Sequence, residues 1–154
     1  MAYQLLLILH NFLRWVVLVA GILVIYQSYM GWQNSTKFKP KHRNTALVFI
    51  SALDTQALLG LLLYFVFSPI TSQAFSNMKE TMHSAVPRFY TVEHSLVMLI
   101  ALAIAHIGYS KAKKANADSK RQRILCTYTA IALILILIMI PFGIINEARP
   151  MFRY

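Results

Sequence analysis

With 154 residues, 58% of them apolar and only 13% charged, the chain lacks the polar surface of a soluble globule and reads as a protein solvated by lipid. Its formal net charge of +10 would suit nucleic acid, but the Lys and Arg residues sit in two loops between apolar runs, the habit of a basic membrane protein, and no nucleic-acid partner is expected. The single cysteine, Cys126, excludes an internal disulfide framework, an iron–sulfur cluster held by this chain alone and a CxxCH haem attachment.

In chain order, apolar runs cover 3–29, 46–67, 89–108 and 124–145, each about long enough to span hydrocarbon. They predict an all-α membrane protein, a four-transmembrane-helix bundle forming one integral membrane domain over 1–154. The first run lacks a basic start and a small-residue cleavage pattern and is too long for a signal-peptide core, so it is expected to stay attached. Lys37, Lys39, Lys41, His42 and Arg43 follow it. The connection 68–88 contains Pro69, Pro87 and a weakly amphipathic stretch at 74–82, which suits either the membrane interface or a solvated loop. A second basic connection carries Lys111, Lys113, Lys114, Lys120, Arg121 and Arg123 against Asp118 alone. Pro141 and Gly143 should kink or end the fourth helix. By the positive-inside rule the two basic loops are cytoplasmic and both termini lie on the outer, periplasmic side. Trp15, Trp32, Tyr90 and Tyr128 read as packing or headgroup anchors, and no phosphate-binding loop is present.

A charge or an imidazole in hydrocarbon is expensive, so each polar residue inside a span is a functional candidate. These are His10 and Arg14 in the first run, Asp54 and Gln56 in the second, and Glu93, His94 and His106 in the third. By helical rise His10 and His94 lie at matching depth, roughly 8–10 Å from the same side. Two facing imidazoles at one level suit the axial positions of one haem b. Hydrogen-bonded structural histidines, or a copper or other metal site completed by Asp54 or Glu93, are the competing readings. Gly21 falls on the His10 face, and Ala101 and Ala105 fall on the His94 face, which makes them the expected walls of a cofactor slot. Arg14 and Asp54 should pair near mid-bilayer, with Arg14 also suited to a haem propionate or a quinone carbonyl. Arg88 is a second propionate candidate, and Glu93 should be solvated at the headgroup level. His106 is rotated about 120° from His94, which disfavours a second haem and suggests an interfacial or partner-contacting role. His42 and His83 should be solvated.

The segments "LHNFLRWVVL", "QALLGLLLYF" and "RFYTVEHSLVMLIALAIAHIGYSKAKK" resemble a family of small bacterial four-helix membrane proteins catalogued as cytochrome b. The resemblance covers nearly the whole chain. It is most specific at His10, Arg14 and Trp15 and at Arg88, Phe89, Glu93 and His94. It implies a haem-binding, respiratory-chain role in the bacterial inner membrane, with His10 and His94 as iron ligands. Relatives carry a histidine six positions before the glycine matched by Gly60, where this chain has Asp54.

The expected function is therefore electron transfer rather than stand-alone catalysis. One bis-histidine haem b near the outer face would exchange electrons with quinol. With so little soluble surface, the chain should work as a homodimer or against larger respiratory-complex subunits, in contact with lipid. The alternative is a haem-free accessory subunit that binds lipid or quinone.

Overall fold

A computed structural model describes residues 1–141. Among them are four helices long and apolar enough to cross a membrane and no strand, so the molecule is an all-α, multi-pass membrane bundle. The first is α1, Ala2–Gln33. The second, α2, runs over Pro40–Leu62 and continues into a π-helical turn at Leu63–Phe67. Three short helices follow, α3 at Pro69–Ser76, α4 at Met78–His83 and α5 at Ala85–Arg88. A second π turn, Phe89–Glu93, leads into α6, His94–Lys114, and α7 spans Asp118–Ile138.

Proline at the first position of α2 supplies a preset helical φ where no N–H is needed. The Lys39 N–H there donates to His42 Nδ1 at 2.9 Å, so His42 is a buried cap and not the solvated residue expected. At the other end α7 stops at Ile138, with Pro141 close behind, as the backbone restriction ahead of a proline requires. Gly143 and the rest of the last apolar run lie outside the described residues. The connection 68–88 is folded as well. Ser68 and Asn77 cap α3 and α4 through the N–H groups of Thr71 and Glu80, and Thr71, Ala74 and Thr81 are buried. The short helices therefore form a roof over the bundle end that also holds the N-terminus.

Helix α1 packs between α2 and α7, and α7 packs on α6. This ring places α1 diagonally across from α6, while α2 and α6 are its most loosely joined neighbours. The dry core fills the half nearer the basic loops, with Val24, Phe49, Ala105, Leu125 and Leu133 among its members. Small residues let helices approach there. A Cβ on Gly108 would collide with Tyr128, and one on Gly21 would lie 2.7 Å from Leu133 Cδ1.

At the basic end Gln122, fully buried, donates from Nε2 to the Thr36 carbonyl at 3.1 Å, tying the α1–α2 connection to α7. Arg121 lies over the Phe38 ring and Arg123 over Trp32, with the cations 5.0 and 5.6 Å from the ring centres. These contacts keep the charged heads at the helix ends while their stems cover apolar surface.

Candidate functional site

The other half of the bundle, under the roof, is hollow. A cavity of about 600 Å³ lies there, lined by α1 from Tyr3 to Val17, by α2 and its π turn, by the start of α6 and by the end of α7. That volume is in the range of small-molecule and cofactor sites. Its walls are mostly apolar, with His10, Asn11, Arg14, Gln56, Thr91 and His94 as the main polar groups. Leu61 and Phe65 on one side, and Leu96 and Leu99 on the other, line the cavity and are also exposed on the outside of the bundle. The hollow therefore opens sideways between α2 and α6.

His10 lies against α2 because position 60 has no side chain. A Cβ on Gly60 would stand 3.3 Å from His10 Cε1. The same stretch of α1 is held by Gln56, whose Nε2 donates to the His10 carbonyl at 2.9 Å. His94, from the diagonal helix, has its Nδ1 3.1 Å from the Met139 carbonyl oxygen. A carbonyl only accepts, so Nδ1 carries the proton, and in the neutral ring the lone pair is on Nε2. This is the arrangement by which a backbone carbonyl orients a ligating imidazole. Phe89 and Tyr90 flank the ring, with centroids 5.7 and 6.4 Å away. Arg14 enters one turn below His10 and lies beside Trp15, 5.3 Å from its ring centre.

Both π turns belong to the cavity wall. Tyr64 in the first donates its hydroxyl to the Thr91 carbonyl in the second at 2.9 Å, and the Tyr64 carbonyl accepts from Thr71 of α3 at 2.7 Å. Such turns turn up often at functional sites because the extra residue re-aims side chains. Two buried oxygens, Gln56 Oε1 and Thr91 Oγ1, have no hydrogen-bond partner among the described residues. Native interiors satisfy most of their buried polar atoms, so these two mark polar capacity in the cavity wall that the protein's own groups do not use.

Of the seven residues expected from sequence to bind a cofactor, His10, Arg14 and His94 share the cavity, while Gly21, Ala101, Ala105 and Arg88 lie elsewhere. Gly21, Ala101 and Ala105 do not line it. Gly21 does follow the His10 face, but it lies beyond Val17, where α1 has closed onto Leu133 and Phe49. Ala101 and Ala105 are buried in the core, on the helix that packs along α7. Arg88 donates from Nε to Glu93 Oε1 at 2.7 Å and from Nη1 to the Met82 carbonyl at 3.2 Å. The π turn between Arg88 and His94 breaks the regular spacing that would relate the two. Glu93 is thus ion-paired and not simply solvated.

The expected Arg14–Asp54 pair is also corrected. Asp54 Oδ1 is 2.6 Å from His106 Nε2, on the outside of the bundle. Matching depth did not imply matching rotation, since Asp54 follows the buried Leu53 by about 100° and faces α6. Among the described residues no group of three or more His, Cys, Asp or Glu side chains could hold a metal ion, so a metal site completed by Asp54 or Glu93 does not form. The sequence reading left Gln56 without a role and missed Asn11, Gly60, Tyr64 and Thr91. The π turns that aim two of them leave no clear periodic signal.

Comparison with protein-family models, with curated proteins and with solved structures finds no match to this chain.

Proposed function

We propose that this chain is a membrane electron-transfer protein that holds one haem b in the cavity through His10 and His94. The observation that carries this reading is that the two imidazoles come from diagonal helices and line one hollow. A macrocycle that brings four nitrogens of its own needs only two from the protein. The hydrogen bond from His94 Nδ1 to the Met139 carbonyl would hold that ring in a ligating tautomer. Arg14 would supply a cation for a carboxylate, and Gln56 and Thr91 would supply polar contacts for the edge of the group. Bound there, haem would supply reversible one-electron exchange.

With the basic loops cytoplasmic by the positive-inside rule, this end faces the outside, as does the N-terminus; the C-terminus lies outside the described residues. Electrons would then exchange with quinol or with a larger respiratory subunit on that side of a bacterial inner membrane. The test is a reduced-minus-oxidised spectrum with iron analysis of the purified protein. A b-type α-band with one iron per chain, lost in both His10→Ala and His94→Ala, is expected. A colourless, iron-free protein, or a band indifferent to both changes, rejects the proposal.

The sideways opening favours a second reading, a haem-free subunit whose cavity takes a quinone or lipid from the bilayer. A colourless preparation that retains extractable quinone or lipid, and loses it on Gln56→Leu, would select that reading.

A further inference from the structure

Asp54 and His106 stand out because they are polar, paired and facing the wrong way. Asp54 is at the middle of the span Pro40–Phe67, and His106 is about two turns inside the Lys114 end of Ala85–Lys114. Their side chains are 50% and 46% exposed, on the lipid-facing side of the loosely packed α2–α6 seam. Ionisable groups at this depth normally face a bundle interior or a water-filled cavity. Lipid tails offer no hydrogen bonds. The contact between them uses only Asp54 Oδ1 and His106 Nε2. Asp54 Oδ2 and His106 Nδ1 have no partner among the described residues, one being an acceptor and the other a potential donor.

The surroundings form a face. On α2, Leu47, Ser51, Asp54, Leu58 and Leu61 recur at spacings of four and three, and on α6, Leu96, Leu99, Ala103, His106 and Ser110 do the same. These are heptad stripes, and all but Leu61, Leu96 and Leu99, which also border the cavity mouth, serve no other part of the molecule described above; every member of both stripes is exposed. Small residues flank the polar pair, with Ser51 one turn before Asp54 and Ala103 one turn before His106, so another backbone can come close.

We infer that a second copy of this chain docks on the α2–α6 face, with a two-fold axis beside the Asp54–His106 pair. The donor and acceptor count selects this occupant. A two-fold brings His106 of each copy to Asp54 of the other; with each carboxylate accepting from Nε2–H, the imidazolium form of the ring has its Nδ1–H left to donate to the other copy's Asp54 Oδ2, and the four side chains form one closed, charge-complementary cluster. A face carrying one acid and one base is its own complement, as an isologous interface requires. The inference is independent of what fills the cavity.

The experiment uses the full chain, with Cys126→Ser, in lipid nanodiscs and in native membranes. Ala103→Cys should cross-link with a short bis-maleimide into a dimer of this chain, whereas Val19→Cys, on the exposed side of α1, should not. Asp54→Leu and His106→Leu should each lower the dimer yield about tenfold at limiting protein, the effect of losing a symmetric pair of interhelical hydrogen bonds. Ser51→Phe and Ala103→Phe keep the pair but hold the helices apart. They should abolish cross-linking through a third position, Ser110→Cys, with an unchanged thermal midpoint, and so carry the test if a pair variant fails to fold. Single-copy particles of the parent protein, equal cross-linking from positions 19 and 103, yields indifferent to all four substitutions, or an Ala103→Cys adduct only with a different protein would each overturn the inference.

Discussion

Two glycines at close approaches to α1 and α2, Gly21 of α1 and Gly60 of α2, have opposite consequences. A Cβ at Gly21 meets Leu133 and Phe49 in the dry core, whereas one at Gly60 meets His10 at the cavity wall. Gly21→Leu should therefore overfill the core and cost about 1–3 kcal/mol, read as a lower unfolding midpoint in detergent whatever the cavity holds. Gly60→Leu should displace the His10 ring with a smaller change in midpoint and, on the proposed function, lower the haem absorbance per chain. If Gly21→Leu emptied the cavity and left stability intact, the division between core and cavity would be wrong. Asp54 belongs with His106, so Asp54→Ala and His106→Ala should fall short of additivity when combined. Asp54→Ala and Arg14→Ala should add, and a double-mutant cycle on thermal unfolding distinguishes the two outcomes.

At the scale of elements, the irregular turns matter more than the helices they interrupt. The two π turns meet through Tyr64 and Thr91 and are roofed by Thr71. Tyr64→Phe removes one hydroxyl donor and leaves the Thr91 carbonyl without it, at a cost of about 1 kcal/mol. The expected signature is faster amide exchange at 64–71 and 88–94 with α7 unchanged. Equal change across all four spans would mean that the turns do not form a local unit. The helices also run past the apolar runs that announced them. Both α1 and α6 continue into the residues that flank the membrane, to Gln33 and Lys114, because hydropathy marks where lipid is and not where backbone hydrogen bonding stops. Pro141 was legible as a stop, since its ring acts on its immediate neighbour whatever the tertiary context.

At the scale of the molecule, one end is packed and basic and the other is hollow and roofed. Lys113 and Arg121 lie at the first end and Lys79, on α4, at the second, which predicts opposite sides of the membrane. Cysteines introduced at 113 and 121 should be labelled from the cytoplasmic side and one at 79 from the outside. Labelling of 113 and 79 from the same side would reject the four-span topology; a companion position, Arg153, lies outside the described residues. The four spans, their number and the end at which charge collects were readable from sequence alone. Each depends on a local sum, the apolar length needed to cross hydrocarbon or the count of Lys and Arg in a loop. His10 and His94, both of which line the cavity, were readable too, as imidazoles inside apolar runs where such a group is costly. Their convergence on one hollow, the exclusion of Gly21, Ala101 and Ala105 from its wall, and the pairing of Asp54 with His106 were settled only by tertiary structure. Rotation about each helix axis and the gap between helices come from side-chain volumes at every contact at once. One inserted residue in a π turn is enough to turn a side chain away from where regular spacing would aim it.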